Sequence, residues 1–142
     1  MSQTVLLIDD SKFLRRANEL AISKAGYDVV VAADGTHGLE LARANGPDVI
    51  VLDMMLPKLS GQELLRALKR DPATSSIPVI VLSSLPQSNE HKLKAEGAVL
   101  YLEKSKLTID GGSAILIQGI ETALRLPQWL GTPETIASSR KA

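Results

Sequence analysis

Two short apolar runs end on carboxylates, and no other feature of this chain constrains its fold as strongly. Val5-Leu-Leu-Ile8 runs into Asp9-Asp10, and Val49-Ile-Val-Leu52 runs into Asp53. Runs this short, bounded by polar residues, have the length of buried strands rather than helices. Their apolarity is continuous, not alternating, so both faces of such strands are covered, as in a parallel sheet flanked by helices. In a sheet of that kind ligands bind outside the carboxyl ends of the strands. Asp9, Asp10 and Asp53 gathered there would repel one another and hold their charge poorly without a cation. The arrangement therefore asks for a hard divalent metal such as Mg²⁺.

The rest of the chain repeats the strand-then-helix alternation. Thr4 to Ile8 reads as a strand. Ser11 is an N-cap for a helix through Lys24, with Gly26 as its stop. Val29 to Ala32 is a β-branched strand, followed by a helix from about Thr36 to Ala44 that ends at Asn45-Gly46-Pro47. Val49 to Leu52 is the third strand. Ser60-Gly-Gln-Glu63 fits a capping box and opens a helix to about Arg70, stopped before Asp71-Pro72. Val79 to Leu82 is the fourth strand, Ser88 to Glu96 a polar helix ending at Gly97, and Val99 to Leu102 the fifth strand. The last helix, about Ser113 to Leu126, is expected to bury Ile115, Leu116, Ile120 and Leu124 on one face.

Five such β/α units with right-handed crossovers predict an α/β fold: a doubly wound five-stranded parallel sheet with helices on both faces. The expected flavodoxin-like strand order, 2-1-3-4-5, puts strands one and three at the switch point, where Asp9, Asp10 and Asp53 end them. Residues 1–126 read as one domain. Residues 127–142, with Pro127, Pro133 and a Ser-Ser-Arg-Lys ending, read as a tail or linker stub on which Trp129 and Leu130 could still dock.

Composition narrows the chemistry. The chain has 142 residues and a formal net charge of +0, which gives no bulk attraction to nucleic acid or an anionic membrane. It has no cysteine, so disulfides, thiol catalysis and Cys-based zinc sites are excluded. His37 and His91 are too few for a His-rich metal site. No signal peptide and no membrane-span-length apolar run is present in the sequence, so the cytoplasm is the expected location.

Two further strand ends complete the constellation. The fourth strand delivers Ser83 and the fifth delivers Lys104. A phosphate arriving at Asp53 would meet the metal, a hydroxyl and an ammonium, each able to neutralise charge on a transferring phosphoryl group. A carboxylate can act as the nucleophile and form an acyl phosphate. Taken singly, each residue has a plainer reading: Asp9-Asp10 as a solvated cap, Asp53 as a loop acid, Ser83 as a helix cap, Lys104 as a surface lysine. Their joint placement at neighbouring strand ends favours a common site.

With Asp9-Asp10, Asp53-Met-Met-Leu-Pro57, Gly61, Ser83 and Lys104 in this order, the chain resembles the receiver domain of two-component response regulators over about residues 4 to 126. The resemblance implies that Asp53 is the phosphoacceptor. Asp9 and Asp10 would hold Mg²⁺, with Asp53 and the backbone carbonyl of Met55 completing the protein ligands. It implies that Ser83 moves toward the phosphoryl group, that Lys104 pairs with it, and that Tyr101 is the aromatic position that turns inward as the hydroxyl moves. Absent the resemblance, Tyr101 reads as half-buried packing on a strand. The implied partners are a histidine kinase or phosphotransfer protein and a downstream protein target. Output is expected to run through the surface of the fourth helix, fifth strand and last helix, as a monomer or a phosphorylation-dependent dimer.

The sequence also departs from the family. Ser105 follows Lys104 where these domains usually have proline, so a trans bond or a rebuilt loop is expected there. The stretch from Ser105 to Gly112 is longer than usual. Met55 and Leu85 flank the site and are apolar, so neither orients an attacking water, and slow hydrolysis of the phosphoryl group is expected. Arg15 and Arg16 read as a solvated helix face, with docking of a kinase's helices by Phe13, Leu14 and this face as the sharper alternative.

Two other classes fit the residues less well. A Mg²⁺-dependent aspartyl-phosphate phosphatase or phosphotransferase of the haloacid dehalogenase type wants an acid two residues after the nucleophile, and that position is Met55. A flavodoxin-like FMN carrier wants a Ser/Thr/Gly-rich loop after strand one, where Asp9-Asp10 would repel a phosphate. The chain reads either as a stand-alone receiver or as one cut from a longer regulator. Nothing after Leu126 resembles a helix-turn-helix, so direct nucleic-acid binding by this chain is not expected.

Overall fold

A computed structural model describes residues 3–56, 59–83, 97–104 and 112–125. Five parallel strands form one sheet in the order β2-β1-β3-β4-β5. They are β1 (Thr4–Ile8), β2 (Asp28–Ala32), β3 (Val49–Asp53), β4 (Val79–Ser83) and β5 (Leu100–Glu103). The described helices are α1 (Lys12–Lys24), α2 (Gly35–Asn45), α3 (Gly61–Arg70) and α4 (Gly112–Arg125). The strand order and the alternation match the sequence reading. The helix expected over Ser88 to Glu96 lies outside the described residues, as do Leu85, His91, Ser105, Trp129 and the tail.

The central strands are apolar throughout because both of their faces are covered. All of β3 and β4 is buried, and Val5, Leu6, Leu7 and Ile8 of β1 are at most 1% exposed. Alternate residues feed two cores. Leu6, Ile8, Ile50, Leu52, Val79 and Val81 pack with Leu64, Leu65 and Leu68 of α3. On the opposite face Val5, Leu7, Val49, Val51, Ile80 and Leu82 pack with Ile22 of α1 and with Leu116, Ile120 and Ala123 of α4.

One expected core position is corrected here. Ile115 is 38% exposed, and the buried stripe of α4 is Leu116, Ile120 and Ala123. At about 100° per residue, Leu116, Ile120 and Ala123 form a continuous i, i+4, i+7 line. Ile115 lies one residue off that line, on its solvent side.

The local signals act as the residue types predict. The Ser11 hydroxyl accepts from the Leu14 amide, the Asp34 carboxylate from the His37 amide, and the Ser60 hydroxyl from the Glu63 amide. Each satisfies a helix N-terminal donor that has no partner within its own helix. Gly46 closes α2 at φ 53°, a left-handed cap that glycine adopts without penalty. Gly61 serves another purpose. A Cβ there would lie 2.5 Å from Met54 Cα and 2.7 Å from the Asp53 carbonyl oxygen. Only glycine lets α3 start this close beneath the turn that follows β3.

Candidate functional site

Strand register assembles the site. Ile8 of β1 pairs with Leu52 of β3, so Asp9 and Asp53 are the next residues on adjacent parallel strands. Asp53 pairs with Leu82 of β4, which puts Ser83 one step further along, and Ser83 pairs with Glu103 of β5, one residue before Lys104. Neighbouring strands lie about 4.8 Å apart, so these side chains share one edge.

Carboxylate oxygens of Asp9, Asp10 and Asp53 all lie within 4.8 Å of one another. Asp9 and Asp53 are buried, at 0% and 1% exposure, whereas Asp10 is exposed. The Asp53 carboxylate is held at both oxygens. Its Oδ1 accepts from the Met55 amide at 3.1 Å, and its Oδ2 forms an ion pair with Lys104 Nζ at 2.7 Å. Lys104 therefore reaches Asp53 directly, although Ser105 stands where the family usually has proline.

Asp9 is held differently. Its Oδ1 accepts from the Ser11 amide at 2.9 Å, and its Oδ2 is buried with no hydrogen-bond partner. A buried carboxylate oxygen without a partner is costly, so this atom is a candidate ligand position. Burial is the main force pushing the Asp9 carboxyl up to about 6, and the negative charge of Asp53 adds to it. The Ser11 amide and the Lys104 charge oppose that rise.

The donor set suits a hard cation. Clustered carboxylate oxygens, one of them unsatisfied, are what Mg²⁺ takes alongside several waters. Such an ion would relieve both the mutual repulsion and the unsatisfied Asp9 oxygen.

The remaining predicted residues fall around this cluster. Ser83 is fully buried at the end of β4. Tyr101 is 7% exposed and belongs to the core shared with Val79, Val81, Leu65 and Leu68, so its ring is turned inward. Met55 contributes its amide to Asp53 and exposes 63% of its surface beside the site. Phe13, at 81%, is the most exposed large apolar residue described.

Arg15 is the residue whose contact the sequence reading missed. It read as part of a solvated face, yet its Nη1 donates to the Asp9 carbonyl oxygen at 2.9 Å. A signal was available. Helical Cα–Cβ bonds tilt toward the N-terminus, so an arginine in the first turns reaches back to the strand end that precedes the helix. Arg16 matches the solvated reading, pairing with Glu19 on the exposed face of α1.

Comparison with known proteins identifies the family and the fold. A family profile described as the response regulator receiver domain matches residues 5–109. The transcriptional regulatory protein CseB of Streptomyces avermitilis is 38% identical over 122 residues, which covers 85% of this chain and 48% of that protein. The chain thus spans about half the length of that curated relative. Among solved structures, the receiver domain of the Francisella response regulator 1452 superposes with a TM-score of 0.78 at 31% identity, covering 87% of this chain and 98% of that one. The chemotaxis response regulator CheY4 of Vibrio cholerae gives a TM-score of 0.78 at 27% identity, covering 87% and 99%.

Proposed function

Since this chain belongs to the response regulator receiver domain family, we propose that Asp53 is the residue through which it works as a phosphorylation-controlled signalling switch. The observation that carries this reading is the carboxylate cluster with Lys104 already on Asp53: oxygens within 4.8 Å of one another and an ammonium at 2.7 Å.

In the proposed transfer a carboxylate oxygen of Asp53 attacks the phosphorus of a phosphohistidine on a histidine kinase or phosphotransfer protein. The new O–P bond forms as the P–N bond breaks, and the electron pair leaves with the imidazole nitrogen, which takes a proton from solvent. Mg²⁺, held by Asp9, Asp10, Asp53 and the Met55 carbonyl, would neutralise charge on the phosphoryl oxygens. Lys104 orients Asp53 beforehand and then neutralises a phosphoryl oxygen, and the Ser83 hydroxyl donates to another. The chain's chemistry is confined to gaining and losing this group, and its output is binding.

Tyr101 is the packing reporter of that switch, since its position on β5 lies between the site edge and the core. Phosphate biases two populations of the fold through its contacts at Ser83 and Lys104. The output passes to a downstream protein partner across the surface that includes β5 and α4. Residues 1–126 form the receiver and 127–142 a tail or linker. Among the described residues no helix is long and apolar enough to cross a membrane, which is compatible with a cytoplasmic partner system.

The test is titration with beryllofluoride and Mg²⁺, followed by amide chemical shifts. Wild type should respond at the ends of β1, β3, β4 and β5, and Asp53→Asn should not. A response that persists in Asp53→Asn removes Asp53 from this role.

A further inference from the structure

Asp9 is tied at every polar atom except one. Its amide donates to the Ala32 carbonyl on β2 at 3.0 Å, and its Oδ1 accepts from the Ser11 amide at 2.9 Å. Its carbonyl oxygen accepts from Arg15 Nη1 at 2.9 Å, leaving only the buried Oδ2 without a partner. That oxygen belongs to the residue that joins Asp10 and Asp53 in the carboxylate cluster.

The choice of donor for the Asp9 carbonyl is informative. Arg15 sits one turn into α1, and its own amide closes that turn on the Ser11 carbonyl at 2.8 Å. Among the described residues no ion pair engages Arg15, so its guanidinium spends a full charge on a neutral carbonyl. The contact ties Arg15 to the main chain of Asp9 and not to a carboxylate oxygen. It links the first turn of α1 to the strand end carrying Asp9, at the one main-chain atom that the sheet and the Ser11 cap leave open.

We infer that Arg15 is a positioning residue of the divalent-cation site: by holding the Asp9 carbonyl it aims the free Asp9 oxygen at the ion. The inference rests on the Mg²⁺ reading given above. Groups that orient a metal's ligands are worth about 10–100-fold in affinity when removed. Electrostatics alone predicts the opposite sign, because deleting a nearby positive charge lets a cation bind more tightly.

The test is Mn²⁺ binding to the full chain, with free Mn²⁺ read by electron paramagnetic resonance and MgCl₂ as competitor. Wild type, Arg15→Ala, Arg15→Lys and Arg16→Ala are compared. Alanine preserves α1, since it is the best helix former, and the Tm of each variant checks that the fold persists. Arg15→Ala should bind about tenfold more weakly, and Arg15→Lys, which keeps a charged donor, should recover most of that loss. Arg16→Ala, which removes an equal charge from the exposed face, should bind as wild type does. Unchanged or tighter binding by Arg15→Ala overturns the inference while leaving the Mg²⁺ reading intact. Wild type that binds neither ion overturns both.

Discussion

The molecule buries charge in two places and treats it in opposite ways. Lys69 of α3 is 8% exposed, and its ammonium donates to the carbonyls of Ile77 at 2.7 Å and Ser75 at 3.2 Å. Beside it the buried Thr74 hydroxyl donates to the Leu68 carbonyl at 2.7 Å. Together they fasten the segment between α3 and β4 to the helix. At the far edge of the sheet Asp9 is buried just as completely, but one of its oxygens has no partner, and two more carboxylates stand close by. Where the fold uses a buried charge for architecture, it saturates it with carbonyls. At the acidic edge it leaves a lone pair without a partner. Burial alone does not separate the two, whereas hydrogen-bond accounting does.

The contrast is sharpest in stability, where the two sites should respond with opposite signs. Lys69→Met strips the donor from two carbonyls and should destabilise the protein by about 2–6 kcal/mol, at roughly 1–3 kcal/mol for each unsatisfied group. Urea denaturation at pH 7 reads this. Equal stability would mean that Lys69 is incidental. Asp9→Asn should instead stabilise the protein in chelator by about 1–3 kcal/mol at pH 7.5, because it removes a carboxylate that burial holds near 6. The pH dependence checks the cause. The folded carboxyl titrates above its ordinary value, so the folded state binds more protons between about pH 4 and 6. Wild type should therefore lose stability relative to Asp9→Asn as pH rises through that window.

A smaller effect separates the sites again at high pH. Burial lowers the Lys69 ammonium to about 8 from an ordinary 10.5. Above pH 8 the unfolded chain binds the proton more strongly than the folded one. Stability relative to Lys69→Met should then increase with pH, by about 1.5 kcal/mol between pH 8 and 9.5. A flat difference across that range would place the ammonium in water.

Much of this architecture can be read from the residues alone. Wholly apolar runs point to a parallel sheet covered on both faces, and the edge on which Asp9, Asp53 and Lys104 meet follows from where those runs stop. The caps at Ser11 and Ser60 were equally legible, since a hydroxyl at that position has one obvious use. What escaped were contacts between a side chain and a remote backbone atom. Lys69 on the Ile77 carbonyl leaves no trace in residue pattern, because every residue offers a carbonyl, and Arg15 on the Asp9 carbonyl is signalled only by the backward tilt of side chains in the first turns of a helix. Ile115 was misplaced for a related reason. Ile115, Leu116 and Ile117 are consecutive apolar residues, and their types alone do not say which one faces the sheet.

Phosphoryl transfer to Asp53 is proposed for the edge where one Asp9 oxygen is left without a partner. Its most direct measurement is the intact mass of the full chain after incubation with a small phosphodonor, with and without Mg²⁺, for wild type and Asp53→Asn. The account predicts a single phosphoryl addition to wild type that depends on the cation and is absent from the asparagine variant. An addition of the same size to Asp53→Asn would contradict it.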